Sequence, residues 1–133
     1  MHISLQESYE HAIDMLALVA EYKDSSTGSH IRRIAEYSRM VALELGMDAK
    51  VAERIGKASR LHDVGKVAIP DNVLRKPGQL TAEEYDLMKR HAEIGARILE
   101  GDPAMDLARE IALTHHERFD GGGYPSGLRG EDL

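Results

Sequence analysis

Five of the seven histidines, His30, His62, His91, His115 and His116, form a spaced set, and Asp63 directly follows the second of them. Neutral imidazole and carboxylate are donors that suit Fe, Mn, Co, Ni or Zn. The adjacent pairs His62-Asp63 and His115-His116 let one segment serve two neighbouring ions, with Asp63 the natural bridge. Taken singly, each histidine has a quieter reading as an unrelated core or surface residue. Their grouping tips the weighing towards a metal site. The chain has no cysteine, which excludes disulfides, zinc ribbons and a thiolate nucleophile and is compatible with a reducing cytosol, so a cytoplasmic protein is expected.

At 133 residues the chain is expected to form one domain, and 42% hydrophobic with 30% charged residues is ordinary globular composition rather than disorder. The longest purely apolar run, Met15 to Ala20, is far below the roughly 20 residues of a membrane span, so no membrane insertion is expected. A formal charge of −6 argues against DNA or any long polyanion. A small phosphorylated ligand stays allowed, because metal ions with Lys66, Arg118 and Arg129 can supply positive charge locally.

The elements that must position these residues read as helices throughout, since apolar residues recur at intervals of three and four. A first helix over about Ile3 to Lys23 carries Tyr9, Ile13, Leu16 and Ala20 on one face. A second over about Ser29 to Leu45 has the stripe Ile31, Ile34, Ala35, Ser38, Val41, Ala42 and Leu45, with His30 in its first turn and Gly46 as its C-terminal stop. A third from about Ala49 aligns Val51, Ile55, Ala58 and His62, so that His62 continues an apolar face. An imidazole there needs a partner for each ring nitrogen, which a metal and a second acceptor supply, although backbone groups would also do so. Pro70, Pro77 and Gly78 predict an irregular stretch over Gly65 to Gly78 holding Lys66. Thr81 and Glu84 form a capping-box pattern that starts a helix running to about Leu99 and carrying His91. After Pro103, Met105, Ala108, Ile111, Ala112 and His115 share a face, which puts the His115-His116 pair at a helix end. Asp120 to Leu133, with five glycines and one proline, reads as a loop.

Two blocks carry a family resemblance. His62-Asp63-Val64-Gly65-Lys66, followed by Ile69-Pro70-Asp71 and Lys76-Pro77-Gly78, resembles the HD superfamily of metal-dependent phosphohydrolases. His115-His116-Glu117-Arg118-Phe119-Asp120-Gly121-Gly122-Gly123-Tyr124-Pro125, with Gly127-Leu128 and Gly130-Glu131 behind it and Thr27-Gly28-Ser29-His30 ahead, resembles the HD-GYP subfamily, whose bacterial members hydrolyse cyclic di-GMP. The likeness runs from about Glu21 to the end. It implies an all-α HD-domain helical bundle of about five or more helices with a Gly-rich C-terminal loop. Within a single domain over 1–133 it implies an N-terminal helix (1–23), a metal-site core (24–116) and the Gly-Tyr-Pro loop (117–133).

The resemblance implies metal ligands at His62, Asp63, His91, His115 and His116, with His30 a further ligand. Lys66 would be catalytic beside Asp63. Arg118, Gly123, Tyr124 and Pro125 would form a loop touching substrate or diguanylate cyclase domains. Some members have a glutamate four residues before the first histidine that helps hold a third ion; Ser26 stands there, so two divalent ions are expected, Fe or Mn favoured over Zn, Co or Ni. The family pattern continues into a helical segment whose aspartate has no counterpart before Leu133, so a truncated form of the domain is expected.

Two such ions sharing Asp63 would lower the pKa of a water that attacks phosphorus in line with the departing ribose 3′-oxygen, and Lys66 would stabilise charge or supply a proton. The expected product is pGpG, with GMP as a slower second step. Quieter readings stand beside these roles: a solvated loop Lys66, a packing Tyr124, an Arg118–Asp120 pair that orients its own loop, and Glu21 and Asp24 as helix-end residues. At the level of the whole chain, the alternatives are an impaired module that binds nucleotide or a cyclase partner, and a phosphohydrolase for another nucleotide.

Overall fold

The computed structural model describes residues 2–24 and 28–133. Ser26 and Thr27, two positions in the reading above, lie outside them. The described residues are helical, with an isolated antiparallel bridge between Asp120 and Arg129 and no strand. Among them no helix is long and apolar enough to cross a membrane.

Helix α1 (Leu5–Lys23) starts at Ser4, whose hydroxyl accepts from Glu7 N while Glu7 closes a capping box on Ser4 N. Ala17, Ala20 and Glu21 are its buried residues, whereas Leu16 is 42% exposed. The inward face therefore passes one position beyond the expected Leu16. Helix α2 (Ser29–Glu44) packs on α3 (Ala49–Ser59), which Asp48 caps through Val51 N. The two approach closely, because a Cβ on Gly56 would lie 2.8 Å from the Ala35 carbonyl oxygen. Ala35 and Ala42 of the expected α2 stripe are buried, but Val41 and Leu45 are exposed. On α3 the buried line is Ala52, Gly56 and Ser59, displaced by one residue from the expected Val51 line.

Helix α3 ends at Ser59, so His62 does not extend its face; it stands in the turn that follows. The expected irregular stretch instead contains a 3-10 turn over Val64–Ala68 and a short helix α4 (Asp71–Leu74). The Thr81–Glu84 capping box is present, but the helix it starts is divided at Arg90 into α5 (Ala82–Lys89) and α6 (His91–Ile98). Asp102 and Pro103 lead through a short 3-10 turn into α7 (Asp106–Thr114), and His115 caps its end.

The core is built mainly from small residues. Ala17 of α1, Ala108 and Ala112 of α7, and Leu61, Val64 and Leu99 form its centre, with Ile13, Ile31, Ala58 and Met105 against it. Small side chains let backbones come close, and closest of all is the 3-10 turn on α6. A Cβ on Gly65 would overlap the His91 carbonyl oxygen and lie 2.5 Å from Gly95 N. That contact sets Asp63 and Lys66 against His91.

Candidate metal centre

Three imidazoles are aimed by the same device. His62 Nδ1 lies 2.7 Å from the Ser59 carbonyl oxygen, His91 Nδ1 2.6 Å from that of Met88, and His115 Nδ1 2.9 Å from that of Ala112. Each acceptor belongs to the residue three positions earlier, in the last turn of α3, α5 or α7, where carbonyls lack the amide four residues on that a continuing helix would supply. The division at Arg90 thus gives His91 the same local setting as the other two. A carbonyl can only accept, so each Nδ1 donates; a neutral ring then keeps the Nε2 lone pair, and only a ring carrying a second proton donates from Nε2.

All three Nε2 atoms converge on Asp63. His62 Nε2 is 3.0 Å from Asp63 Oδ2, while His91 and His115 Nε2 are each 3.3 Å from Oδ1. His91 is 1% exposed. Asp63, His91, His115 and His116 each present a donor atom within 4.8 Å of the others. Lone pairs facing a carboxylate repel unless a cation lies among them, and the negative ends of three helices point the same way. The donor set therefore fits a divalent ion bound through nitrogen and oxygen.

Without a metal, the same contacts to Asp63 call for a proton on Nε2. Burial opposes the charge on Asp63, yet hydrogen bonds from His115, His62 and His91 hold its carboxyl far below the usual range. Burial would lower His62, but its bond to Asp63 prevails and raises it. Partial desolvation, together with His115 and His91 nearby, lowers His116 to about 4, so its imidazole is neutral at physiological pH.

Lys66 is no solvated loop residue. Its Nζ sits 2.7 Å from Asp24 Oδ2 and 3.2 Å from Asp63 Oδ2, with the side chain 19% exposed. Burial works against its charge, but the Asp63 charge and the Asp24 hydrogen bond raise its pKa. Asp24 is thereby a holder of Lys66 and not merely a turn residue. Glu21 is buried, and neither of its carboxyl oxygens has a partner among the described residues. It lines a cavity of about 90 Å³ together with Asp24, His30, Arg60, His62, Asp63 and Lys66. His30 itself is exposed; its ring centroid stands 6.5 Å from that of His62, outside the compact donor set.

The glycine-rich loop folds back on the site. Glu117 accepts from Ser126 N at 2.7 Å and Leu128 N at 3.0 Å, and Tyr124 N donates to the His116 carbonyl at 3.3 Å. Gly123 passes so close that an added Cβ would overlap the His116 carbonyl oxygen. The Tyr124–Pro125 peptide is cis. Arg118 pairs with Asp120 at 2.6 and 3.0 Å, which orients the loop itself. Glu117 and Gly65 had no assigned role in the sequence reading, although both stand inside its two motifs, because a backbone anchor and a backbone contact leave no mark on residue chemistry.

The HD-domain family profile matches residues 10–133. The chain belongs to the HD-domain family. This HD domain is 46% identical over 91% of its length to a cyclic di-GMP phosphodiesterase of Thermotoga maritima, covering 33% of that protein. It is 44% identical over 98% of its length to a 3′3′-cGAMP-specific phosphodiesterase of Vibrio cholerae, covering 26% of it. A cyclic di-GMP phosphodiesterase response regulator of Xanthomonas campestris is 43% identical over 97% of the HD domain, which covers 35% of the regulator. The chain thus spans about a quarter to a third of the length of these curated relatives.

Proposed function

We propose that this HD domain is the catalytic part of a metal-dependent cyclic dinucleotide phosphodiesterase of the HD-GYP type, acting on cyclic di-GMP to give pGpG. The observation that carries the reading is the convergence of three Nδ1-anchored histidines on Asp63, 3.0 to 3.3 Å from its oxygens. His62, Asp63, His91, His115 and His116 would hold two divalent ions, Fe or Mn before Zn, Co or Ni, and His30, which lines the adjoining cavity, would be a further ligand. Such ions supply the Lewis acidity that activates water near neutral pH and neutralises phosphoryl oxygens.

The protein's own groups do the rest. Asp63, kept ionised by its imidazole partners, offers two oxygens that bridge the donor set. Lys66, held charged between Asp24 and Asp63, faces developing negative charge at phosphorus or protonates the departing 3′-oxygen. The half-buried loop around Tyr124 walls one side of the centre, and Arg118, Gly123, Tyr124 and Pro125 on it are the residues that substrate or a diguanylate cyclase domain would touch. Similarity to a cGAMP-specific enzyme over nearly the whole chain favours a second substrate reading, 3′3′-cGAMP.

The test is to load the chain anaerobically with Mn(II) or Fe(II), count metal per chain, and follow cyclic di-GMP and 3′3′-cGAMP by product chromatography. Near two ions per chain with linear product that disappears in Asp63→Asn supports the enzyme. Retained nucleotide binding without turnover would instead indicate a binding module.

A further inference from the structure

We propose that Tyr124 is a positioning residue for His116, fixing the plane of that imidazole as a ligand; the inference rests on the metal-centre reading above. His62, His91 and His115 each have Nδ1 tied to a backbone carbonyl. His116 has no such hydrogen bond among the described residues. Three rings meet it: His115 at 4.2 Å and tilted by 48°, His91 at 5.0 Å and edge to face, and Tyr124, the one that lies parallel to it, with centroids 4.7 Å apart and planes inclined by 16°. An imidazole free to turn about its side-chain torsions loses rotamer entropy on binding a metal, and a ring held in place beforehand loses less. Stacking therefore does for His116 what the helix-end carbonyls do for the other three.

The loop is built to hold that ring. Tyr124 N bonds to His116's own carbonyl, and the close passage of Gly123 brings the two residues together. Glu117 anchors the segment beyond Pro125 through Ser126 N and Leu128 N. Tyr85 of α5 and the His91 ring each meet Tyr124 edge to face, with centroids at 6.4 Å and planes inclined by 82° and 78°. These contacts engage Tyr124 on one face and at its edges. The Gly-Tyr-Pro sequence then reads as a device for ligand geometry: glycine for close approach and tyrosine for the stacked face.

The experiment compares wild type, Tyr124→Phe, Tyr124→Leu and His116→Ala in two measurements on the intact chain. In the metal-free protein, NMR reads the ring-current shift of the His116 side-chain protons. In a titration with cobalt(II), visible absorption reads affinity and ligand geometry. Tyr124→Phe should match wild type in both. Tyr124→Leu, which keeps apolar bulk without a planar face, should lose the part of the ring-current shift that Tyr124 supplies and bind cobalt about 10- to 100-fold more weakly with an altered spectrum. Thermal melts confirm that each variant is folded. Wild-type affinity and spectrum in Tyr124→Leu would overturn the positioning role while leaving the metal centre standing. Absence of cobalt binding in wild type would overturn both.

Discussion

His91 and His115 face each other through Nε2 atoms 3.3 Å apart, and each has Nδ1 bonded to a helix-end carbonyl. With the Nδ1 protons so placed, no proton remains to bridge the two Nε2 atoms in the neutral rings. The contact makes chemical sense around a shared cation or with one ring charged, and Asp63 Oδ1 at 3.3 Å from both supplies the compensating negative charge.

Metal uptake should release protons. His62 is raised above its ordinary value of 6.5, so in the metal-free protein it is more than half protonated at pH 6.5, and a metal must displace that proton. By linkage, the stability His62 contributes to the metal-free fold is present below pH 6.5 and lost as pH rises through its higher folded value. Calorimetric titration with Mn(II) in buffers of differing ionisation enthalpy should report more protons released at pH 6.5 than at 8.5, and tighter binding at the higher pH. Equal release at both would assign the proton elsewhere. His116, lowered to about 4, should contribute none at either pH.

Gly65→Ala should damage fold and site together. The added methyl meets the backbone of His91 and Gly95, which cannot swing aside as a side chain could. Overpacking of this kind costs about 3 kcal/mol, the upper end of its usual range. Urea denaturation of the metal-free chain measures it, and a loss below about 1 kcal/mol would mean that α6 and the 3-10 turn separate easily.

Lys66→Met should lower turnover by about 10²- to 10³-fold while metal content stays unchanged, as expected for removal of one positioned donor. Lys66→Arg should not restore it, because a planar guanidinium fork cannot replace a point charge held between Asp24 and Asp63. Loss of metal in step with loss of rate would make the role structural instead.

Glu21→Gln should leave the metal-free fold as stable as wild type or stabilise it by up to about 2 kcal/mol, since a buried carboxyl group with no donor among the described residues is costly to keep. Arg60, whose buried Nε also has no partner among the described residues, lines the same cavity. A stabilised variant with altered metal affinity would mean that Glu21 is kept for the site, a trade seen where function opposes stability. A loss of more than about 1 kcal/mol would sink that view and make Glu21 part of the fold.

Much of the site could be read before the fold. Residue type alone singled out Asp63, His91, His115 and His116, which the structure gathers into one donor group. The capping box at Thr81 and Glu84 was equally legible, because its signal lies within four residues. Helix faces were less so: Leu16, Val41 and Leu45 are apolar and yet exposed, and periodicity does not say which apolar residue lies on the side covered by a neighbour. His62 was placed on a helix that ends three residues earlier, since nothing local marks Ser59 as its last residue.

By itself the sequence determined the helical class, the kind of donor atoms, and two motifs whose chemistry depends on residue identity. Only the tertiary structure decided that the ends of α3, α5 and α7 meet, that their carbonyls aim three imidazoles at one carboxylate, and that Tyr124 is laid against His116. The physical reason is distance along the chain. Helix propensity, ligand chemistry and the carbonyls that aim the imidazoles belong to a few adjacent residues, whereas the meeting of the aimed rings at Asp63 joins segments up to dozens of residues apart and depends on how closely small residues such as Gly65 and Ala112 let the backbones pack.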